Sequence, residues 1–83
     1  MKTNRLLMTD DAAGTAYVQD WTLDTNGEVA DVTEVCDLTM PPDLALDDVA
    51  DAAIKAATAA GFDVCGSAGD NNDLGDAFYI EMP

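Results

Sequence analysis

The chain has 83 residues, of which 17 are acidic, 3 are basic and none is histidine, for a formal net charge of -14. A chain of this length has room for one hydrophobic core, so residues 1–83 are predicted to form a single domain. The apolar fraction of 48% is typical of a folded protein. So few basic residues exclude direct binding to nucleic acid or to an anionic membrane surface.

Enzymatic chemistry has few suitable side chains in this sequence. Without histidine, proton transfer near neutral pH would fall to a shifted carboxylate, to Lys55 or to a cysteine. Ser67 is the only serine, and its surroundings lack the pattern of a nucleophile elbow. We therefore predict that the chain is not an enzyme and needs no cofactor.

The two cysteines, Cys36 and Cys65, lie far apart and have no Cys-x-x-Cys or histidine neighbour, so a zinc site is not predicted. Two interpretations remain open: two buried thiols in a reducing cytoplasm, or a single disulfide. No apolar run reaches the length of a signal-peptide core or of a membrane span. We expect a soluble, cytoplasmic protein.

Three strands are predicted in the first half of the chain. Residues 3–9 form the first, with Leu6 and Met8 on one face and Arg5 and Leu7 on the other. A polar turn over residues 10–14 follows. Two runs rich in Val, Thr, Tyr and Trp, residues 15–24 and 29–38, flank Asn26 and Gly27. This dipeptide predicts a hairpin with a two-residue type I′ turn.

The two-residue turn fixes a register for the hairpin. The pairs on the predicted core face are Tyr17–Cys36, Trp21–Val32 and Leu23–Ala30. The pairs on the opposite, acidic face are Asp20–Thr33, Thr22–Asp31 and Asp24–Val29. This register puts Val18 and Val35 on the acidic face and Gln19 and Glu34 on the core face. Either a bulge shifts the register midway, or the valines form an exposed apolar patch.

Residues 46–60 are predicted to form an amphipathic helix, about 22 Å long at the helical rise per residue. Its opposite face carries Asp51 and Lys55, spaced for an ion pair. Gly61 and Phe62 follow as expected for a Schellman motif at the end of a helix. The residues of the predicted buried stripe are Leu46, Val49, Ala50, Ala53, Ile54, Ala57 and Ala60.

Asp43 is a candidate N-cap of an initial turn before this helix. After the helix, residues 63–65 are predicted as a short strand, 66–75 as a polar loop and 77–82 as a last strand. The order β-β-β-α-β-β indicates an α+β fold, a small antiparallel sheet packed on one amphipathic helix. The acidic loop 70–76 does not match a calcium-binding EF-hand, because Leu74 falls at a ligand position. No metal site is predicted.

Local structure does not account for the excess of aspartate, because Asp is a poor helix and strand former. A first interpretation is that the protein mimics nucleic acid. Asp47 and Asp51 would lie about 6 Å apart along a helix. Asp20 and Asp24 flank Thr22 on a strand, where every two residues span about 6.6 Å. Both spacings are of the same order as the distance between neighbouring phosphates. The candidate partner-binding residues are Asp20, Asp24, Asp31, Asp47, Asp48, Asp51, Asp70, Asp73 and Asp76.

In length, charge and lack of catalytic residues, the whole chain resembles the small acidic inhibitors made by bacteriophages, namely the anti-CRISPR proteins and the uracil-DNA glycosylase inhibitors. The resemblance is one of size and charge, and no residue motif carries it. It implies a basic nucleic-acid-binding protein as partner, such as a CRISPR effector complex or a DNA-processing enzyme. It also implies inhibition by occlusion of the DNA or guide-RNA path, in the host cytoplasm if the chain is phage-encoded.

The negative charge also has a second and a third interpretation. A halophile's surface is rich in acid because acid keeps a protein dissolved in high salt, and an Ala-rich, Asp-rich, Lys-poor composition fits that origin. The chain would then be a small binding or structural module without inhibitory activity. Alternatively, it is an acidic partner domain of another basic protein, such as an antitoxin or an accessory subunit.

Overall fold

The computed structural model describes residues 2–70 and 75–81, and it confirms the predicted α+β class. Five strands form one antiparallel sheet in the order β3-β2-β1-β5-β4, and one helix lies between β3 and β4 in the chain. The elements are β1 (Lys2–Asp10), β2 (Thr15–Leu23), β3 (Val29–Leu38), a 3-10 turn (Leu46–Asp48), α1 (Val49–Ala59), β4 (Asp63–Asp70) and β5 (Asp76–Glu81).

The helix packs on one face of the sheet, which we call the helix face; the other is the open face. Leu7 of β1 is fully buried on the helix face with Val18 and Ile80, against Ala53 and Ala57 of α1. The small alanine side chains allow the helix to approach the sheet closely. The alternation predicted for β1 is confirmed, because Leu6 and Met8 form a separate cluster on the open face.

The turn between β2 and β3 is longer than the predicted type I′ turn. Leu23 pairs with Val29, and the amide of Gly27 donates to the carbonyl of Asp24 at 3.1 Å. Gly27 has a φ of 83°, whereas Asn26 is not left-handed as a type I′ turn requires. The Asp24 carboxylate accepts bonds from the amides of Asn26 (2.9 Å) and Glu28 (3.0 Å). This side-chain capping of the turn selects the longer loop.

A bulge shifts the hairpin register between Val18 and Gln19, so the first of the two alternatives for this register is confirmed. Trp21 pairs with Val32 as predicted, but Cys36 pairs with Val18 instead of Tyr17. Val18 is consequently buried under the helix, and Val35 remains 37% exposed.

The predicted core face of the hairpin was therefore wrong. Tyr17 and Trp21 lie on the open face, in the cluster of Leu6 and Met8. The helix face of β2 carries Ala16 and Val18 instead. The prediction assigned the face with the large aromatic side chains to the core, whereas the helix packs against the face with small and branched side chains. Because side chains alternate along a strand, only one of these two faces can meet the helix.

The helix is shorter at its start than predicted. Val49, Ala53 and Ala57 are buried, but Leu46 belongs to the 3-10 turn and is 63% exposed. Asp43 is not an N-cap; it has a left-handed φ of 59°, and the turn begins at Ala45 without a side-chain cap.

The end of the helix is as predicted. Gly61 has a φ of 97°, and its amide donates to the carbonyl of Thr58 at 3.1 Å. The amide of Phe62 donates to the carbonyl of Ala57 at 3.0 Å. These two bonds define a Schellman motif, and they place the Phe62 ring in the core.

Strand β4 extends into the segment predicted as a loop. Two register shifts against β5, between Val64 and Gly66 and between Ser67 and Gly69, let the glycine-rich run remain paired as far as Asp70. Bulges of this kind accommodate residues that are poor strand formers.

The disulfide alternative is excluded, and the prediction of two buried thiols is also wrong, because neither thiol is buried. Cys36 lies on β3 and Cys65 on β4, the two opposite edges of the sheet. Four strand spacings separate these edges, about 19 Å, whereas a disulfide requires α-carbons within about 7 Å. Cys36 is half-buried and Cys65 is exposed.

Candidate functional site

The antiparallel topology brings many of the aspartates to one end of the sheet, which we call the acidic end. β1 ends there at Asp10, β3 ends at Leu38, β4 ends at Asp70 and β5 begins at Asp76. The first turn of α1 lies close to the same end, because Asp48 and Asp51 line a groove of about 500 Å³ with Thr39 and Pro41, which follow β3.

The acidic end contains no glutamate among the side chains that the structure describes, and none of its carboxylates is buried. One base, Lys55, lines the same groove as Asp48 and Asp51. Lys2 and Arg5 lie toward the opposite end, in the first half of β1. Lys55 does not form the predicted ion pair with Asp51; within residues 2–70 and 75–81 the ion pair found joins Arg5 and Asp20. The members of the acidic end are Asp10, Asp11, Asp37, Asp43, Asp47, Asp48, Asp51 and Asp76.

A buried threonine connects two parts of this end. The amide of Asp76 donates to Oγ1 of Thr9 at 2.7 Å, and that oxygen lies 3.4 Å from Oδ1 of Asp11. Thr9 is fully buried. The turn after β1 and the start of β5 are thereby held in a fixed relative position.

The first turn of the helix adds a second fixed group of carboxylates. Asp47 and Asp48 lie in the 3-10 turn, and Asp51 lies in the first turn of α1. The positive end of the helix dipole stabilises negative charge there. The amide of Asp48 donates to the carbonyl of Ala45 at 2.9 Å, so the backbone of this turn is fixed by the fold while the carboxylates remain exposed.

The structure divides the nine predicted partner-binding residues into two groups. Asp47, Asp48, Asp51 and Asp76 lie at the acidic end, and the backbone of Asp70 ends β4 there. Asp73 is outside the described residues. The hairpin residues Asp20, Asp24 and Asp31 do not join this group.

Two of these hairpin carboxylates have structural partners. Oδ1 and Oδ2 of Asp20 accept bonds from Nε (2.8 Å) and Nη2 (3.0 Å) of Arg5. The hydrogen bonds from Arg5 lower the pKa of Asp20 despite partial desolvation. Asp24 caps the β2–β3 turn through its bonds to the amides of Asn26 and Glu28. The charges of Asp20 and Asp24 are therefore engaged within the fold.

Sequence reasoning did not select four members of the acidic end, Asp10, Asp11, Asp37 and Asp43. Each lies in or next to a turn or near the end of a strand, and only the strand order shows that these positions converge. The polar turn 10–14 was the available signal, because it had to lie at the same end as residues 38 and 76 in an antiparallel sheet.

No protein-family model, curated protein or solved structure matches this chain. Within the described part of the chain, no group of three or more acidic or thiol side chains is arranged to hold a metal ion. None of the described helical segments has the length and apolar character needed to cross a bilayer.

Proposed function

We propose that this protein is an acidic inhibitor that blocks a nucleic-acid-binding enzyme or a CRISPR effector complex by occupying its basic DNA- or RNA-binding channel. The observation that supports the proposal is the acidic end, where eight described aspartates converge and the base found beside them is Lys55, in the groove of Asp48 and Asp51. The mechanism needs no chemistry, and the protein acts in the cytoplasm where its target works.

The physics of such inhibition is electrostatic. A net charge of -14 on 83 residues steers the protein toward a positively lined channel. Carboxylates carried on an already folded backbone replace phosphates without the cost of ordering a chain segment at the moment of binding. The interaction is screened by salt over a Debye length of about 8 Å at physiological ionic strength.

The test is a titration of CRISPR effectors and DNA-repair enzymes with the purified chain at several salt concentrations. We expect one class of enzyme to be inhibited, with an affinity that falls steeply with salt, because each ion contact displaces counterions. The proposal fails if the chain is folded at low ionic strength and leaves the whole panel unaffected.

The alternative, a halophilic module without inhibitory activity, is favoured by the spread of the remaining acidic residues. Glu34 and Glu81 lie on the open face and Asp31 on the helix face of the sheet, so acid covers more than the acidic end. A halophilic protein unfolds when salt is removed, because repulsion within the folded chain is no longer screened. Circular dichroism at low ionic strength therefore separates the two functions: the inhibitor remains folded.

A further inference from the structure

The open face of the sheet carries an aromatic and apolar surface that no other layer of the described structure covers. Leu6, Met8 and Ala77 form its floor and are at most 7% exposed. Tyr17 and Trp21 pack over them. Tyr79 pairs with Leu6 on the same face and is 44% exposed.

Each of the three aromatic residues has a carboxylate beside it on this face. Trp21 donates its indole N–H to Oε1 of Gln19 at 3.0 Å, and Nε2 of Gln19 donates to Oε1 of Glu34. Gln19 therefore fixes both the indole ring and the carboxylate of Glu34.

The strand register places a carboxylate beside each of the other two aromatic residues, Tyr17 and Tyr79. Tyr17 is directly opposite Asp37 on β3. Glu81 lies two residues after Tyr79 on β5, on the same side of the strand. Tyr17 and Trp21 are about 13 Å apart along β2, and β5 is two strand spacings, about 10 Å, from β2.

An aromatic ring next to a carboxylate is the environment that suits an arginine side chain. The guanidinium plane stacks on the ring, while its N–H groups donate to the carboxylate. Lysine offers a point charge without the planar stacking surface, so it gains less from the ring.

The negative charge of the open face indicates which kind of partner surface can bind there. Besides Glu34, Asp37 and Glu81, the open face carries Asp10 and Asp63, which pair with Thr15 and Glu81. Its base among the described residues is Lys2, which pairs with Leu23 and lines a cavity with Tyr79 and Glu81. A second copy of the chain would bring like charges together, whereas a basic surface complements the face.

We propose that the open face is a docking surface for an arginine-rich segment of a partner protein, with guanidinium groups seated on Trp21, Tyr17 and Tyr79. The inference rests on the proposed function for the identity of the partner, and it adds a second contact, between this face and arginine side chains. The acidic end then occupies the basic channel, and the open face supplies the contacts that select arginine.

The test uses Trp21, which is the only tryptophan, as a fluorescent reporter within the surface. Oligo-arginine and oligo-lysine peptides of equal length are titrated into the full chain at about 0.15 M salt, where surface attraction is largely screened. We expect oligo-arginine to change Trp21 fluorescence and to bind about tenfold more tightly than oligo-lysine, since stacking favours the guanidinium.

Two charge-matched triple variants complete the test. The open-face triple, Glu34→Gln, Asp37→Asn and Glu81→Gln, should lose the preference for arginine. The helix-start triple, Asp47→Asn, Asp48→Asn and Asp51→Asn, should weaken both peptides equally and keep the preference. Far-UV circular dichroism verifies that both variants fold, and Glu34→Gln alone preserves the shape of the side chain that Gln19 contacts.

Equal binding of the two peptides by the wild type, or equal effects of the two triples on the preference, would overturn the docking surface. Concentration-dependent dimerisation that changes Trp21 fluorescence would also overturn it, since a second copy would then be the occupant. Enzyme inhibition is scored separately. Arginine preference without inhibition would support this docking surface and reject the proposed function. Inhibition without arginine preference would support the proposed function and reject this docking surface.

Discussion

Asp20 and Asp31 lie on the same face of the hairpin but differ in their electrostatic surroundings. Asp20 is held by two bonds from Arg5, at side-chain exposures of 25% and 30%. Asp31 is exposed opposite Thr22. In a chain with a net charge of -14, removal of an unpaired carboxylate relieves repulsion, whereas removal of a paired one leaves Arg5 without its partner.

We therefore predict opposite effects for two chemically identical substitutions. Asp20→Asn should lower the free energy of unfolding by about 0.5–1 kcal/mol, and Asp31→Asn should raise it by a few tenths of a kcal/mol. Urea denaturation near neutral pH measures both. Equal shifts of the same sign would contradict the prediction.

The effect at Asp20 has a defined pH dependence. Because the folded-state pKa of Asp20 is lowered by Arg5, its contribution is present above the unfolded-state pKa of about 3.9. The contribution disappears as the pH falls through the folded-state value. The wild type and Asp20→Asn should therefore converge in stability in acid.

The exposed thiol of Cys65 should be a poor nucleophile. Desolvation on the strand, and then the charges of Glu81 and Asp63, raise the pKa of this thiol above its usual value. Because the thiolate is the reactive form, Cys65 should be alkylated slowly near neutral pH. Glu81→Gln should shift the pH profile of alkylation to lower pH, and the distant Asp47→Asn should leave it unchanged. Identical profiles for the wild type and Glu81→Gln would contradict this.

At the scale of elements, the contact between the start of β5 and the end of β1 requires a glycine. A Cβ atom at Gly75 would lie 2.6 Å from the carbonyl oxygen of Thr9 and still closer to its Oγ1. Gly75→Ala must displace backbone, and we expect it to lower the free energy of unfolding by about 1–3 kcal/mol.

Gly66→Ala is the matched control for this prediction. A Cβ at Gly66 meets nothing within 4 Å, and its backbone is not left-handed. We expect an effect within about 0.5 kcal/mol. Thermal or urea unfolding of the two variants compares them directly, and a similar loss in both would show that the approach to Thr9 is not the cause.

The sequence was sufficient to predict those elements that depend on a single local pattern of residues. The alternation of β1, the bounds of β3 and the Schellman motif at Gly61 were all predicted correctly. Each depends on residues that are adjacent in the chain, so no knowledge of the tertiary structure was needed.

Tertiary pairing determined the features that the sequence did not predict. The bulge after Val18 decides which hairpin face meets the helix, and nothing local to that strand reveals it. Strand β4 continues through Gly66 and Gly69 because β5 pairs with it. The excess of acid was evident in the sequence, but its convergence at one end required the strand order.

At the scale of the whole molecule, charge is distributed unevenly along the strands. The described acids of the acidic end are all aspartates, with Lys55 in the groove of Asp48 and Asp51, and the opposite end contains Lys2 and Arg5 together with acids. An inhibitor that inserts one end into a channel uses this asymmetry, whereas a surface adapted only to high salt does not need it. The orientation of the bound protein is thus part of the proposed mechanism.

The most direct measurement is displacement of labelled nucleic acid from an inhibited enzyme by two variants with the same change in charge. The pair Asp47→Asn and Asp48→Asn removes two charges from the acidic end, and the pair Glu28→Gln and Asp31→Asn removes two exposed charges that lie neither there nor among the charges of the docking surface. We predict that the first variant loses displacement by at least about tenfold, whereas the second variant retains most of it. Equal loss in both variants, or loss in neither, would contradict the claim that the acidic end occupies the channel.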